Sequence, residues 1–296
     1  MRIFGILALG WFPVALAGTD YRASIEQWRQ QREASLRSED GWLTVAGLFW
    51  LEEGENAVGS APGSAVLLPA DTAPARAGVI EFRGGRAIFT AAPGVEARLN
   101  GKPVRSAELR SDAEGQPDVL EIGRLKLLLI KRGTRYAIRM RDPESALRKN
   151  FRGLKWFPIQ EEWRIEARYV PAPGPRKLVL ETIVGTTEDM ESAGFVEFQR
   201  EGKTWRLEAA RSGEGLFIVF RDATAGKTTY AAGRFLYADA PRDGRVVLDF
   251  NRAINPPCAY TPYTTCPLPP PQNRLPIAIP AGEMAYEGHG VGAAVH

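Results

Sequence analysis

The sequence predicts a mostly β protein, with one helix near the N-terminus and two strand-rich lobes, the second ending in a proline-rich loop. Three observations lead there. Between Asn56 and Met140, short apolar runs recur between Gly, Asn and Asp turn residues, the layout of a sandwich or barrel. The same pattern resumes from Leu178 to Leu248. Only one segment, close to the start, carries a helical period.

Arg2 precedes an apolar run from Ile3 to Leu16, and Ala15-Leu16-Ala17 supplies the small-x-small pattern of a signal peptidase site. Residues 1–17 are therefore expected to be a signal peptide, cleaved after Ala17, and the mature chain to be periplasmic or secreted. Gly18 stands where a lipid-anchored protein would carry Cys. No later segment approaches the roughly 18 apolar residues of a membrane span, so no transmembrane segment is expected after cleavage. Loss of Arg2 leaves 38 − 1 = 37 basic against 35 acidic residues, a net charge of +2 rather than +3, and bases and acids are interleaved throughout. Nothing here favours a nucleic-acid partner.

Tyr21, Ile25, Trp28 and Leu36 fall on one face of the expected helix, with Gln27, Arg29, Gln30, Arg32 and Glu33 on the rest. The dense block from Trp42 to Leu51 reads as core, or as the wall of an apolar pocket. Strands are expected at Ala65–Leu68, Val79–Phe82, Ala87–Thr90, Glu96–Leu99, Val119–Ile122, Leu125–Ile130 and Tyr136–Met140, with turns at Asn100-Gly101 and Arg83-Gly84-Gly85. Residues 18–140 thus form a first lobe of helix plus sandwich. The opening AVGSAPGSAVLLP, the turn LNGKPV and the hairpin DVLEIGRLKLLLI resemble a forkhead-associated β-sandwich. The phosphothreonine-reading arginine of that family falls at Ser60, and no Ser-x-x-His is present, so the resemblance implies the fold without phosphopeptide binding.

Residues 141–177 read as a linker or seam in which Arg141, Arg148, Lys149, Arg152 and Lys155 interleave with Phe151, Trp156, Phe157 and Trp163. Such a mixture is either a solvated basic face or a surface for an anion. A strand from Trp163 to Val170 ends it. Residues 178–285 form the second lobe, a barrel-like or curved antiparallel sheet, with strands at Leu178–Ile183, Gly194–Phe198, Thr204–Ala209, Leu216–Arg221, Thr229–Leu236 and Val246–Phe250 and a return segment Leu275–Ile279. Residues 286–296 read as a flexible tail.

The site is expected where the second lobe ends. Val246–Glu283 holds both cysteines and nine prolines beside a cluster of polar side chains, and a rigid polar loop suits a binding site. Strand alternation places Asp249 and Asn251 on one face, where they either meet a ligand or fasten the proline loop. Arg234, after the turn holding Asp222, Thr224, Gly226 and Lys227, could grip a carboxylate or phosphate. Asn255, Tyr260 and Asn273 complete the expected ligand-binding set. Cys258 and Cys266 are expected to pair as a disulfide in an oxidising compartment, the alternatives being a metal thiolate pair or a free thiol. No histidine occurs before His289, which argues against histidine-based nucleophilic or zinc chemistry and leaves Asp222, Asp249, Glu283 and the tyrosines for acid–base work. No metal site or cofactor is expected.

Four segments, GWLTVAGLFWLEEGENAVGS, FRGLKWFP, FRDATAGKTTYAAGRFL and LDFNRAINPPCAYTPYTTCPLPPPQNRLPIAIPAGE, are similar to the domain of unknown function 1684 family across nearly the whole mature chain. The resemblance implies an ordered cysteine loop and supplies no activity. Members without export signals carry the same cysteines, which weighs against a purely structural disulfide. Three readings follow: an exported protein binding a small polar or anionic ligand in the second lobe, a cell-envelope hydrolase using Asp249 as acid or base, and a structural envelope protein with no small-molecule site.

Overall fold

The computed structural model describes residues 16–287, with side chains from Asp20 onward. The expected signal peptide lies outside the described residues except for Leu16 and Ala17, which open helix α1, Leu16–Arg37. None of the described helices is long and apolar enough to cross a membrane. Ile25 and Leu36 are buried as the helical period predicts, Leu36 against Leu43, Phe151 and Tyr260. The polar face is not left to solvent. Arg22 and Arg29 donate to the Ile159 and Phe157 carbonyls, Glu33 accepts from the Leu154 N–H, and Arg32 reaches Glu283. The helix is a strap clamped by charge-assisted hydrogen bonds, which are stronger than neutral ones.

The first lobe is a sandwich of two sheets. Its strands are β1 (Val45–Trp50), β2 (Gly54–Gly59), β3 (Val66–Leu67), β4 (Gly78–Arg83), β5 (Arg86–Ala91), β6 (Ala97–Leu99), β7 (Lys102–Val104), β8 (Ser106–Leu109), β9 (Val119–Ile122), β10 (Leu125–Arg132) and β11 (Arg135–Arg141). One sheet runs β1-β11-β10-β9-β6-β7, the other β3-β2-β4-β5-β8. Ile80, Phe89, Leu120, Leu127, Ile138 and Met140 fill the space between them. Every strand expected in this lobe is present, while β1, β2, β7 and β8 are additional. Asn100-Gly101 is the tight turn expected, both residues taking positive φ.

After a short helix, α2 (Ala146–Lys149), the second lobe forms one antiparallel sheet. Its strands are β12 (Arg164–Pro171), β13 (Lys177–Glu181), β14 (Thr187–Arg200), β15 (Lys203–Ser212), β16 (Gly215–Phe220), β17 (Arg234–Ala238) and β18 (Arg245–Asp249), in the order β17-β16-β15-β14-β12-β18 with β13 beside β14. The sheet curls until its two end strands approach, and a reciprocal backbone pair between Phe235 and Ile254 ties β17 to the segment beyond β18. Phe198, Phe220, Leu236, Leu248 and Phe250 occupy its concave side.

Three expectations need correction. β17 starts at Arg234 rather than Thr229, because Thr229 is held in the preceding turn by the Thr224 hydroxyl at 2.8 Å. Leu275–Ile279 is not a strand: its backbone groups go singly to Arg221, Ala223 and the Asp222 carboxylate. β18 stops at Asp249, and Asn251 lies in a 3-10 turn, Phe250–Arg252, so the two are not strand neighbours on one face. Tyr286, placed in the tail by the sequence, packs on Phe151 and Tyr260.

Strand β14 bulges at Gly194, whose φ is +120° and where a Cβ would stand 2.3 Å from the Val170 carbonyl oxygen. Gly194→Ala should therefore cost at least about 2 kcal/mol and lower the melting temperature by roughly 4–8 °C. Calorimetry of the two proteins checks this, and equal melting points would contradict the bulge geometry.

Candidate functional site

The expected site residues do not converge. Arg234 is 1% exposed and donates to the Asp222 carboxylate at 2.9 Å, to the Ile279 carbonyl at 2.9 Å and to the Ala281 carbonyl. Burial pushes its pKa down and Asp222 opposes this. A guanidinium so occupied fastens the return segment to the sheet. Asn273 bonds the Glu208 N–H and carbonyl and the Val219 carbonyl, stitching β15 to β16. Asp249 accepts from the Tyr21 hydroxyl at 2.9 Å and from the Asn251 N–H at 3.1 Å. Asn251 bonds both backbone groups of Gln160 and the Tyr21 hydroxyl. Burial, with Asp249 beside it, pushes the Tyr21 phenol up, so it remains a donor. The Asp249–Asn251 pair fastens the start of α1 and the Gln160 segment, not the proline loop.

Asn255 and Tyr260 have another setting. Glu283 is fully buried and accepts from Arg32 Nε at 2.9 Å, the Tyr260 hydroxyl at 2.7 Å and the Asn255 N–H at 2.7 Å. Burial works against the charge of Arg32, but Glu283 outweighs it and raises its pKa. Burial and Glu283 together push Tyr260 far up.

This network borders a cavity of about 330 Å³ between the lobes. The second lobe contributes Asn255, Thr264, Thr265, Cys266, Phe235, Tyr237 and Glu188; helix α1 contributes Arg32; the first lobe contributes Trp42, Arg132 and Arg139. Thr261 Oγ1 donates to the Val45 carbonyl at 3.0 Å, and Arg132 Nε donates to Thr265 Oγ1 at 2.8 Å, so the proline loop is docked directly on the first sheet.

The cations around this cavity differ in one respect. Arg32 is paired with Glu283 and Arg132 with Asp112 at 2.8 Å. Arg139 pairs with no carboxylate among the described residues, although it is only 7% exposed, and its Nε has no hydrogen-bond partner. Its guanidinium lies 5.2 Å from the Trp42 ring centroid. Burial, then repulsion from Arg132 and Arg141, lowers its pKa to about 10, which leaves it charged at neutral pH. Asn255 Oδ1 is likewise buried and unpartnered. Larger hollows on the surface lack this character: in the one of about 660 Å³, Arg168 pairs with Glu197 and Arg245 with Glu166.

Cys266 stands at the same wall, and it and Cys258, expected as a disulfide, are unbridged thiols. Among the described residues no group of three or more His, Cys, Asp or Glu could hold a metal ion. Of the cavity's lining, the sequence singled out Asn255 and the cysteine loop but not Arg132 and Arg139. The only signal for Arg139 is the Ala137, Arg139, Arg141 alternation of β11, which reads equally well as a solvent face, and Arg132, at the end of β10, reads as a turn residue.

The Asp249 network predicts a structural effect. Asp249→Asn should remove about 1–3 kcal/mol of charge-assisted bonding and lower the melting temperature by several degrees, with Tyr21→Phe losing about 1 kcal/mol. Thermal melts of both variants check it; an unchanged Asp249→Asn melt would return this carboxylate to the candidates for chemistry.

Over residues 149–284 the chain matches the family described as "Protein of unknown function (DUF1684)". No curated protein matches it. An uncharacterised protein of Haloarcula marismortui, with a solution NMR structure, is 34% identical; the alignment covers 48% of this chain and 81% of that one, with a TM-score of 0.41. Over a segment the chain is similar to the FhaA forkhead-associated domain solved with the intracellular domain of Rv3910, at 20% identity, 31% and 96% coverage and a TM-score of 0.23. The forkhead-associated structure from a study of phosphothreonine-dependent interactions gives 20% identity, 32% and 92% coverage and a TM-score of 0.23. With a relative matched at that identity over four-fifths of its length, and the family's own segment spanning α2 to the end of the proline loop, the chain belongs to the DUF1684 family.

Proposed function

We propose that this protein binds a small anionic ligand, bearing a carboxylate or phosphate, in the cavity between its lobes. The observation that carries this reading is Arg139, a buried cation that pairs with no carboxylate among the described residues, Asp112 acting on it only at longer range. Burying an unpaired charge is costly, and buried cations are ordinarily paired. An anion in the cavity supplies the missing partner. Arg132, oriented by Asp112 and Thr265, offers a second cation, and the Thr264 and Thr265 side chains supply polar atoms on the loop side. The volume suits a small metabolite. Residues 1–17 support export of the mature protein, so the ligand is sought outside the cytoplasm. This keeps the ligand class expected from the sequence and moves its seat from the second lobe alone to the seam.

Arg139→Met is the direct test. Wild-type protein titrated with inorganic phosphate, citrate and short-chain dicarboxylates should melt higher as anion is added; at a hundredfold excess over Kd the gain is about 2.7 kcal/mol, roughly 5–10 °C. The variant should lose this response while its ligand-free melting temperature stays level or rises, since an unpaired buried charge has been removed. A variant stabilised by anions as strongly as wild type, or a wild type indifferent to all of them, would sink the reading.

The groups that titrate around the cavity also predict a pH effect. Arg32, Arg132, Arg139, Glu188, Tyr237 and Cys266 face it, and no histidine does. Burial holds the Glu188 carboxyl above its usual range. An ionised Glu188 repels the ligand, so affinity should rise as pH falls through that raised value and weaken above it. Glu188→Gln should remove this dependence and bind tightly throughout, as isothermal titration at several pH values would show.

A further inference from the structure

The anion reading leaves one feature of the cavity wall without a role. Cys266 is buried, lines the cavity, and its Sγ accepts from the Cys258 N–H at 3.2 Å and donates to Thr264 Oγ1 at 3.6 Å. Cys258 packs against the same cluster and remains partly exposed. Tyr230 donates to the Cys258 carbonyl at 3.1 Å, and prolines at 256, 257, 262 and 267 stiffen the backbone that carries both residues. A cysteine whose backbone N–H already meets the other's sulfur is close enough for the pair to form a bond of roughly 2 Å with little backbone movement.

The pair is also polarised. Burial opposes a thiolate at Cys266, but the Cys258 thiol, the Thr264 hydroxyl, the Cys258 N–H and the nearby Arg139 charge together outweigh it. Cys258 is held well above the usual thiol range, with Cys266 the first cause. Of the two, Cys266 alone lines the cavity, so its sulfur is the one a molecule seated there meets as nucleophile, with Cys258 as the resolving thiol.

We propose that Cys258 and Cys266 form a reversible dithiol–disulfide couple whose exchange partner is a small carboxylate-bearing disulfide, seated in the cavity by Arg139 and Arg132. This deepens the anion-binding reading of the same cavity and rests on it. The Cys266 thiolate attacks one sulfur of the small disulfide, whose S–S bond breaks; the departing thiolate takes up a proton, leaving a mixed disulfide on Cys266. Cys258 then gives up its proton, attacks Cys266 Sγ and expels the second small thiol, which takes that proton. Two protein thiols are oxidised to one disulfide, and one small disulfide is reduced to two thiols.

The test compares two oxidants on fully reduced protein, oxidised glutathione, which carries carboxylates, and hydroxyethyl disulfide, which carries no charge. Samples are acid-quenched, alkylated and weighed by mass spectrometry. Wild type should form the internal bridge with oxidised glutathione and recover both thiols in excess reduced glutathione. Cys258→Ser should accumulate a glutathione adduct on Cys266, and Cys266→Ser far less on Cys258. Arg139→Met should slow oxidation by oxidised glutathione about tenfold more than it slows oxidation by the uncharged oxidant, whose rate reports only the lost support of the thiolate. The wild-type arm needs no variant to fold. Thiols that stay free at every glutathione ratio, a bridge that reduced glutathione cannot open, or an Arg139→Met effect equal for both oxidants would each overturn the proposal. The phosphate titration on Cys258→Ser, which keeps Arg139 but lacks the couple, then decides the anion reading separately.

Discussion

The arrangement turns on Glu283, a carboxyl group with no access to solvent on which hydrogen bonds from three distant segments converge. Arg32 comes from the helix, the Tyr260 hydroxyl from the proline loop and the Asn255 N–H from the segment after β18. Removing one partner would leave a buried charge short of a bond, which typically costs about 3–5 kcal/mol. That penalty makes the joint all-or-none. The helix, the loop and the chain end are therefore positioned together, and the cavity is what remains between this joint and the exposed face of the first sheet. Thr261 on the Val45 carbonyl and Arg132 on Thr265 complete the docking.

Against that background Arg139 is out of place. Arg234, Arg32 and Arg132 each find a carboxylate, so the protein can satisfy a buried or half-buried guanidinium where structure requires it. The Trp42 ring gives Arg139 a cation–π contact of about 0.5–2 kcal/mol, which offsets only part of the desolvation of a full charge. Local rules are broken most often at functional sites. The same wall carries a second departure, the unbridged Cys266, whose sulfur accepts from the Cys258 N–H.

Much of the fold was legible because it rests on local rules. The helical period marked Ile25 and Leu36 for burial, Asn100-Gly101 specified its hairpin, and alternation located most strands. Errors appeared where a side chain claimed backbone groups that alternation would assign to a ladder. Asp222 takes the Ile279 N–H, and the Thr224 hydroxyl holds Thr229, so the return segment is loop and β17 begins only at Arg234. The candidate site was half legible. Proline and cysteine density pointed to the loop that lines the cavity between the lobes, whereas Asp249, Asn251, Asn273 and Arg234, the polar residues that looked most chemical, are consumed in fastening neighbouring segments. Arg139 could not be found, because the face it shares with Ala137 and Arg141 reads as solvent-exposed until a second lobe covers it.

That covering is also why the cavity's two proposed properties belong together. Its walls come from both lobes, so an anion between Arg139 and the Thr264–Cys266 segment bridges them and adds its binding free energy to the seam. Cys266 supplies part of the same wall. If closing the Cys258–Cys266 bond reshapes that wall and changes anion affinity by some factor, thermodynamic reciprocity requires bound anion to change the ease of forming the bond by the same factor. On the two proposals taken together, a cation without a paired carboxylate and a thiol pair without a bridge are two halves of one coupled equilibrium, sharing one cavity of a protein in which, among the described residues, only Arg29, Trp163, Arg252 and Asn255 otherwise leave a buried side-chain atom unpartnered.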